Sequence, residues 1–263
     1  MAPPVRLIRN EFELQDLVDR LGRDPGLVER DFALVTIAAG LVETFGDGLC
    51  FKGGFVLRHV YGHERFSRDI DATRINPPKS KLNAAEVAEA IRRASVRNLL
   101  TLNPHQPATD SGRSLDFDDV RYTGPIGSGQ VSVEVSYRED IIDGPDLVPI
   151  GEPYYEPFEI PVMRLNEIVA EKLRTLAQRR RPTDLSDLAM VLIGHTVDDT
   201  RVRALAERKF ELVKDTDNRG RIERNIESMR AEYDAAVTAV APDAPDYRHA
   251  VAVVLARLPR LLA

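Results

Sequence analysis

Cysteine is nearly absent from this chain. Cys50 is the only one in 263 residues, which excludes an internal disulfide framework and fits a reducing compartment. Long apolar runs are missing too. The longest, Phe32 to Val42, is interrupted by Thr36 and Gly40 and is too short to span a bilayer. Met1-Ala2-Pro3-Pro4 leads into a charged amphipathic stretch without the apolar core of a secretory signal, so the expectation is a cytoplasmic protein with no membrane partner. There is no Walker A phosphate loop, no Gly-x-Ser-x-Gly and no Cys-x-x-Cys. Nor is there an excess of basic residues. The net charge of −6 argues against broad nonspecific binding of polyanions, while leaving room for a local basic patch. Apolar content of 43% and charged content of 30% are ordinary for a globular protein.

What is present centres on residues 49–71. Leu49 to Lys52 reads as a short apolar strand, Gly53-Gly54 as a tight turn, and 54–61 as a helix carrying Phe55, Leu57, Val60 and Tyr61. A second strand over 68–73 carries Asp69 and Asp71. Side chains two apart on a strand share a face, so these carboxylates project side by side. They repel each other unless a cation lies between them, and a divalent metal is the usual solution. Glycines before a helix leave backbone N–H groups where a phosphate can dock. Carboxylates beside a phosphate cradle suggest transfer of a phosphoryl or nucleotidyl group.

Gly-Gly followed by Asp-x-Asp resembles the signature of the nucleotidyltransferase superfamily. The longer run, Lys52-Gly53-Gly54 with Arg65-Phe66-Ser67-x-Asp69-Ile70-Asp71, is similar to the AbiEii/MenT nucleotidyltransferase toxins of abortive-infection and toxin–antitoxin systems. Phe55 stands where that family usually has threonine, so phosphate contact falls to backbone N–H groups or Ser67. The resemblance implies an α+β fold: a nucleotidyltransferase-like mixed sheet with flanking helices, then a C-terminal helical bundle. It implies transfer of NMP from an NTP, with Mg²⁺ or Mn²⁺, to an RNA acceptor such as the 3′ end of tRNA, so that translation stops. It also implies a cognate antitoxin, which acts by binding or by modifying a serine near the site, with Ser67 the candidate. The alternatives are nucleotidylation of a protein or of a small-molecule hydroxyl, and an inactive nucleotide-binding regulator.

Along the chain, 10–23 reads as a helix capped by Asn10, Asp24-Pro25-Gly26 as a break, and Asp31 to Phe45 as a buried helix. Pro77-Pro78 opens a linker, and Asn83 caps a helix to about Arg97. Period-two patterning then gives strands near 99–103, 114–122, 131–138 and 154–162, with Gly124 to Gly129 as a hairpin connection. Beyond Met163 the pattern is helical: 165–180, 183–194, 200–214, 219–239 and 246–258. The expected domains are 1–163, a nucleotidyltransferase core with N-terminal helices, and 164–263, a helical domain closing the active site.

A site binding two metals needs a third carboxylate. In Val131-Ser132-Val133-Glu134-Val135, Glu134 projects opposite the valines and is the candidate metal ligand and proton acceptor; Glu159 is the reserve. Lys172 falls in the middle of the apolar stripe Leu165, Ile168, Val169, Leu176, so it must snorkel out, pair with a carboxylate, or meet an anion. The family places such a lysine in its active site, which implies the triphosphate as that anion. Asp184 suits the start of its helix through the helix dipole. Asp187 lies on an otherwise apolar helix and needs a partner, either Lys172 in the active site or a neighbouring arginine. The nucleotide-binding set is Lys52, Gly53, Gly54, Arg65, Ser67 and Lys172, although Arg65 and Arg68 could equally counter the aspartates. Arg174, Arg179, Arg180 and Arg181 form a basic cluster, read as either a solvated face or an RNA contact. His59 and His63, four apart, have no third ligand nearby and read as surface or packing residues.

Overall fold

The structure, a computed structural model, describes residues 7–77, 80–96, 98–104, 108–138, 140–151, 155–211 and 218–262. Pro78, Arg97, the first residue of the strand expected over 154–162 and the last three of the helix expected over 200–214 lie outside this set.

The chain opens with α1 (Glu11–Leu21), capped by the Asn10 side chain accepting from Glu13 N–H. Next comes α2 (Pro25–Phe45), six residues longer at its start than the sequence pattern suggests. Asp24-Pro25 is a start signal, not a break. The Asp24 carboxylate accepts from Leu27 N–H at 3.0 Å, and proline suits the first helical position because its missing N–H would have no helical partner. A single 3₁₀ turn, Gly46–Gly48, leads into β1 (Leu49–Lys52), α3 (Gly53–His59) and β2 (Asp69–Arg74). Then follow α4 (Ala84–Val96), β3 (Thr101–Pro104), β4 (Thr109–Asp110), β5 (Ser114–Thr123), β6 (Ser128–Ser136), β7 (Pro145–Ile150) and β8 (Phe158–Met163). The helices α5 (Leu165–Gln178), α6 (Pro182–Gly194), α7 (Asp199–Glu211), α8 (Asn218–Ser228), α9 (Tyr233–Thr238) and α10 (Tyr247–Leu261) complete the chain. The helix expected over 219–239 is two helices. Between α8 and α9 the backbone tightens to i→i+3 bonds, Met229 to Ile226 and Glu232 to Met229, with no glycine or proline to announce it.

Two compact units result. The first holds residues 1–62, 66–141 and 145–162; the second holds 63–65, 142–144 and 163–263. The sheet is mixed, in the order β3-β5-β6-β2-β1-β8-β7, with β4 pairing β5. Its centre is β6-β2-β1: β1 runs antiparallel to β2, and β2 parallel to β6. β5 and β6 form the expected hairpin, whose turn is held by Gly124 N–H donating to the Gly127 carbonyl and by buried Glu29 accepting from Ile126 N–H at 2.8 Å.

In the first unit α2 lies against α4 at close range. A β-carbon added at Gly40 would fall 2.6 Å from the Ala90 carbonyl oxygen and 2.7 Å from the Ala94 β-carbon. In the second unit α5 is tied down by charge as well as by its leucines. Lys209 of α7, fully buried, donates to Glu167 at 2.8 Å, and Glu167 also accepts from the N–H groups of Ile142 and Asp143. Gly40→Ala is expected to push α2 and α4 apart and to lower unfolding free energy by about 1–3 kcal/mol, read as a lower urea midpoint with an unchanged slope.

Candidate active site

The first unit carries a row of acids. In β2 the residues Ile70 and Ala72 are buried, so Asp69 and Asp71 turn to the opposite, half-exposed face. β6 does the same: Val131, Val133 and Val135 go inward and Glu134 is exposed. The parallel register sets Asp71 directly beside Glu134 and Asp69 beside Ser132. Register partners share a face, so the three acids stand on one side of two adjacent strands. On its other side Asp71 has Lys52 of β1 as register partner. Glu159, on β8 beyond β1, has no place in that row.

One carboxylate was not legible from the sequence. Asp116 of β5 is the register partner of Glu134, which extends the acidic row to a third strand. Burial raises its pKa and the charges of Asp118 and Asp110 add to that, while the Ser114 hydroxyl, donating at 2.9 Å, opposes it.

Local geometry explains the glycine and the serine. Gly53 opens α3 at φ +72, where a β-carbon would run into the Asp71 carboxylate. The Lys52 side chain makes no capping bond at the start of α3. Phe55 is buried against Phe51 and His59, so it packs in the core rather than facing a ligand. Ser67 is buried too, and its hydroxyl donates to Asp69 Oδ1 at 2.9 Å, fixing that carboxylate. At the far end of α3, buried Asp31 accepts from Arg58 Nε at 2.9 Å and contacts His59 Nε2 at 3.2 Å. The Arg58 guanidinium in turn covers the Phe66 ring at 3.7 Å. These contacts anchor the short helix that follows the glycine turn.

The second unit carries a buried knot of charge. Lys172 is 8% exposed and donates to Asp187 at 2.7 Å and to Asp184 at 2.9 Å. Arg65 grips Asp187 from the other side, Nε to Oδ1 at 2.5 Å and Nη2 to Oδ2 at 3.0 Å. Arg179 holds Asp184 at 2.8 Å. Burial opposes the charge on Lys172, but the two carboxylates outweigh it and hold the ammonium pKa above its usual value. Burial likewise opposes ionisation of Asp184 and Asp187, and their cationic partners overcome it, so both stay below the usual carboxylate range. Two of the outcomes left open for Asp187 are therefore realised together: it orients Lys172 and it pairs with an arginine. Asp184 does more than suit a helix dipole. Its three-residue spacing from Asp187 puts both on one helix face, a signal that could have placed it beside Lys172.

Other residues fall elsewhere. Arg174, expected at an RNA-binding rim, is buried and spends its guanidinium on Glu171 and Gln178, because it sits on the packed side of α5. Arg180 and Arg181 are exposed, as is Arg179 beyond its bond to Asp184. His59 and His63 are not a pair: α3 ends at His59, and His63 belongs to the second unit. His63 is 8% exposed, stacks on His195 at 5.5 Å, and has no hydrogen-bond partner on either ring nitrogen. Among the described residues no three His, Cys, Asp or Glu side chains are gathered closely enough to hold a metal ion. The backbone register of Asp69, Asp71 and Glu134 and their hard oxygen donors fit a divalent cation; coordination requires side-chain rotation on that fixed frame.

A glycine turn feeding an acid-bearing strand, on a mixed sheet with appended helices, is a nucleotidyltransferase fold. The family model described as nucleotidyl transferase AbiEii toxin, type IV TA system, matches residues 39–257, and the chain belongs to that family. Among solved structures it is similar to MenT4, a nucleotidyltransferase toxin from Mycobacterium tuberculosis H37Rv, at 24% identity and a TM-score of 0.70, covering 94% of this chain and 89% of that one. It is also similar to a putative nucleotidyltransferase from H. pylori (18% identity, TM-score 0.63, 91% and 96% covered). JHP933 from Helicobacter pylori gives 18% identity, a TM-score of 0.61 and 90% and 93% coverage. At these identities the likeness speaks to the fold alone. No curated protein matches the chain.

Burial lowers the His63 pKa from 6.5 to about 4, against the pull of nearby Asp187. The unfolded chain therefore binds the extra proton first, so this group leaves stability intact above pH 6.5 and erodes it as pH falls toward 4. Between pH 7 and 5 the loss is expected to be about 2 kcal/mol, from about 1.4 kcal/mol per pKa unit. Melting temperature followed across that range should drop for the wild type and drop markedly less for His63→Phe.

Proposed function

We propose that this AbiEii-family toxin moves a nucleoside monophosphate from an NTP to an RNA hydroxyl, with the 3′ end of tRNA as the acceptor the family resemblance favours. The observation that carries the reading is the register of β2 on β6, which stands Asp71 beside Glu134 with Asp69 on the same face. Such a row suits Mg²⁺ or Mn²⁺, which when bound screens phosphate charge and steadies the pyrophosphate leaving group. Asp69, Asp71 and Glu134 are its ligands in this proposal, with Ser67 orienting Asp69 through their hydrogen bond.

The acceptor oxygen attacks the α-phosphorus in line, the α–β phosphoanhydride bond breaks, and pyrophosphate departs with its electron pair. Glu134 takes the acceptor proton. The Gly53 and Gly54 N–H groups at the start of α3, where the Lys52 side chain makes no capping bond, are assigned to phosphate oxygens. Lys172 supplies a permanent positive charge for the triphosphate, kept protonated by Asp184 and Asp187. Arg65 has both forks on Asp187, so it serves by placing that carboxylate. A cognate antitoxin follows from the type IV family, and no described helix is long and apolar enough to cross a membrane.

Incubation with each α-³²P-labelled NTP, Mg²⁺, total RNA and total protein tests the acceptor class. Label is expected in the tRNA band, at the 3′ end. Label confined to a protein band or to a small molecule overturns the RNA reading. Asp71→Asn and Lys172→Met are each expected to lower the labelling rate by about 10²–10³-fold with the fold intact by circular dichroism. Asp71→Ala should also abolish growth arrest in a bacterial host; arrest that persists would instead mark a binding protein without turnover.

A further inference from the structure

We propose that His63 binds the triphosphate of the nucleotide beside Lys172, its imidazole N–H donating to a phosphate oxygen. The inference rests on the nucleotidyltransfer reading above and deepens it by naming a further residue that holds the donor nucleotide.

His63 is buried, both its ring nitrogens are closed off from solvent, and neither has a hydrogen-bond partner among the described residues. A neutral imidazole has one N–H to give and one lone pair to fill. Both go unmet here, and burying polar atoms in that state is costly. Packing alone does not account for the residue, because phenylalanine fills similar space with no polar atom to strand.

Placement says what the ring serves. His63 stands two residues before Arg65, so their Cα atoms lie within about 7 Å, and Arg65 holds Asp187 through Nε and Nη2. The charges acting on the imidazole are those of Asp187, His195, Arg65 and Lys172. Lys172 spends two of its three ammonium N–H groups, on Asp184 and Asp187, and keeps a third. With Arg179 on Asp184, three cations meet two carboxylates, so the excess charge of the knot is positive. Two donors in a knot of positive excess suit an anion with several acceptor oxygens, as a phosphate chain has. Burial holds the free ring neutral, with its pKa near 4. An anion at hydrogen-bonding distance favours the charged form and draws that pKa upward.

His195 is the cover. It stands one residue past the end of α6, is itself half-buried, and stacks on the His63 ring at 5.5 Å with 25° between the planes. Turning this one side chain at a helix end uncovers the imidazole without moving α5 or α6.

The test reads His63 directly, in untagged protein with Mg²⁺ at pH 6. The chain has 5 histidines, and in the ¹³C–¹H imidazole spectrum the His63 signal is the one lost in His63→Asn. Three probes are compared: sodium tripolyphosphate, sodium sulfate at equal ionic strength, and the four nucleosides. Tripolyphosphate is expected to move the signal about half way toward that of a protonated imidazole, and the other two to leave it in place. By calorimetry, His63→Phe is expected to weaken tripolyphosphate binding about tenfold. The KM for NTP should rise by a like factor while the KM for RNA holds. His63→Asn, which keeps a side-chain N–H, should recover most of the affinity, and His195→Ala should stay within about twofold of wild type. Wild-type affinity in His63→Phe overturns the proposal, as does a wild-type His63 signal that saturating tripolyphosphate leaves unmoved. A signal answering to nucleosides alone makes the ring a reader of the base, and one answering equally to sulfate makes it a general anion site; either overturns it. Equal losses in His63→Phe and His195→Ala would mark packing of the pair and overturn it too. Failure of the nucleotidyltransfer reading looks different: the wild-type protein then labels no acceptor with any NTP, wherever the His63 signal lies.

Discussion

The bond between Lys172 and Asp187 is the constraint on which the buried charge cluster of the second unit depends. An ammonium and a carboxylate withdrawn from water cost several kcal/mol each unless both are met at hydrogen-bonding distance. Here they are met twice over: Asp184 shares the lysine, and Arg65 shares Asp187. Arg179 then completes Asp184. The result is a chain of alternating sign in which each member fixes the next. Because the folded carboxylates titrate below their ordinary range, the stabilisation is present at neutral pH and is lost only as pH falls beneath that range. A lysine so held keeps its proton and one orientation.

The first unit achieves order by a different device. Its acids are set out by strand pairing, which fixes spacing and facing at once. Around that frame lie small adjustments: a glycine at positive φ that leaves room for Asp71, a buried serine on Asp69, and an aspartate that pins α3 through Arg58 and His59. Each acts on backbone or carboxylate position rather than on charge.

How much of this was legible in the sequence varies with the physics of each element. Alternation placed Glu134 opposite its valines, and the apolar stripe showed that Lys172 needed a partner, because burial leaves a periodic trace in one dimension. Partner choice leaves none: that Arg65 would meet Asp187, or that Arg174 would turn inward to Glu171, depends on contacts far apart or on packing density. The β7 strand went unread because Pro145 and Pro149 argue against a strand, yet it lies at the sheet edge, where a missing N–H costs no ladder bond. The start of α2 went unread for a related reason, since Asp-Pro-Gly signals turns and helix starts alike until the Asp24 bond to Leu27 is seen. The α8–α9 break has no compositional marker at all.

The stretch from Arg65 to Asp71 has divided loyalties. Arg65 is counted with the helical unit and Phe66 onward with the sheet unit, so seven consecutive residues furnish a guanidinium to one and two acids to the other. Dissection of this toxin at the border near residue 163 would therefore not yield two intact halves. The isolated C-terminal piece would keep a buried aspartate shorn of its fork, and the N-terminal piece an arginine parted from that aspartate. Complementation from separately made fragments, or grafting the helical part onto another sheet, would have to carry residues 63–65 across as well.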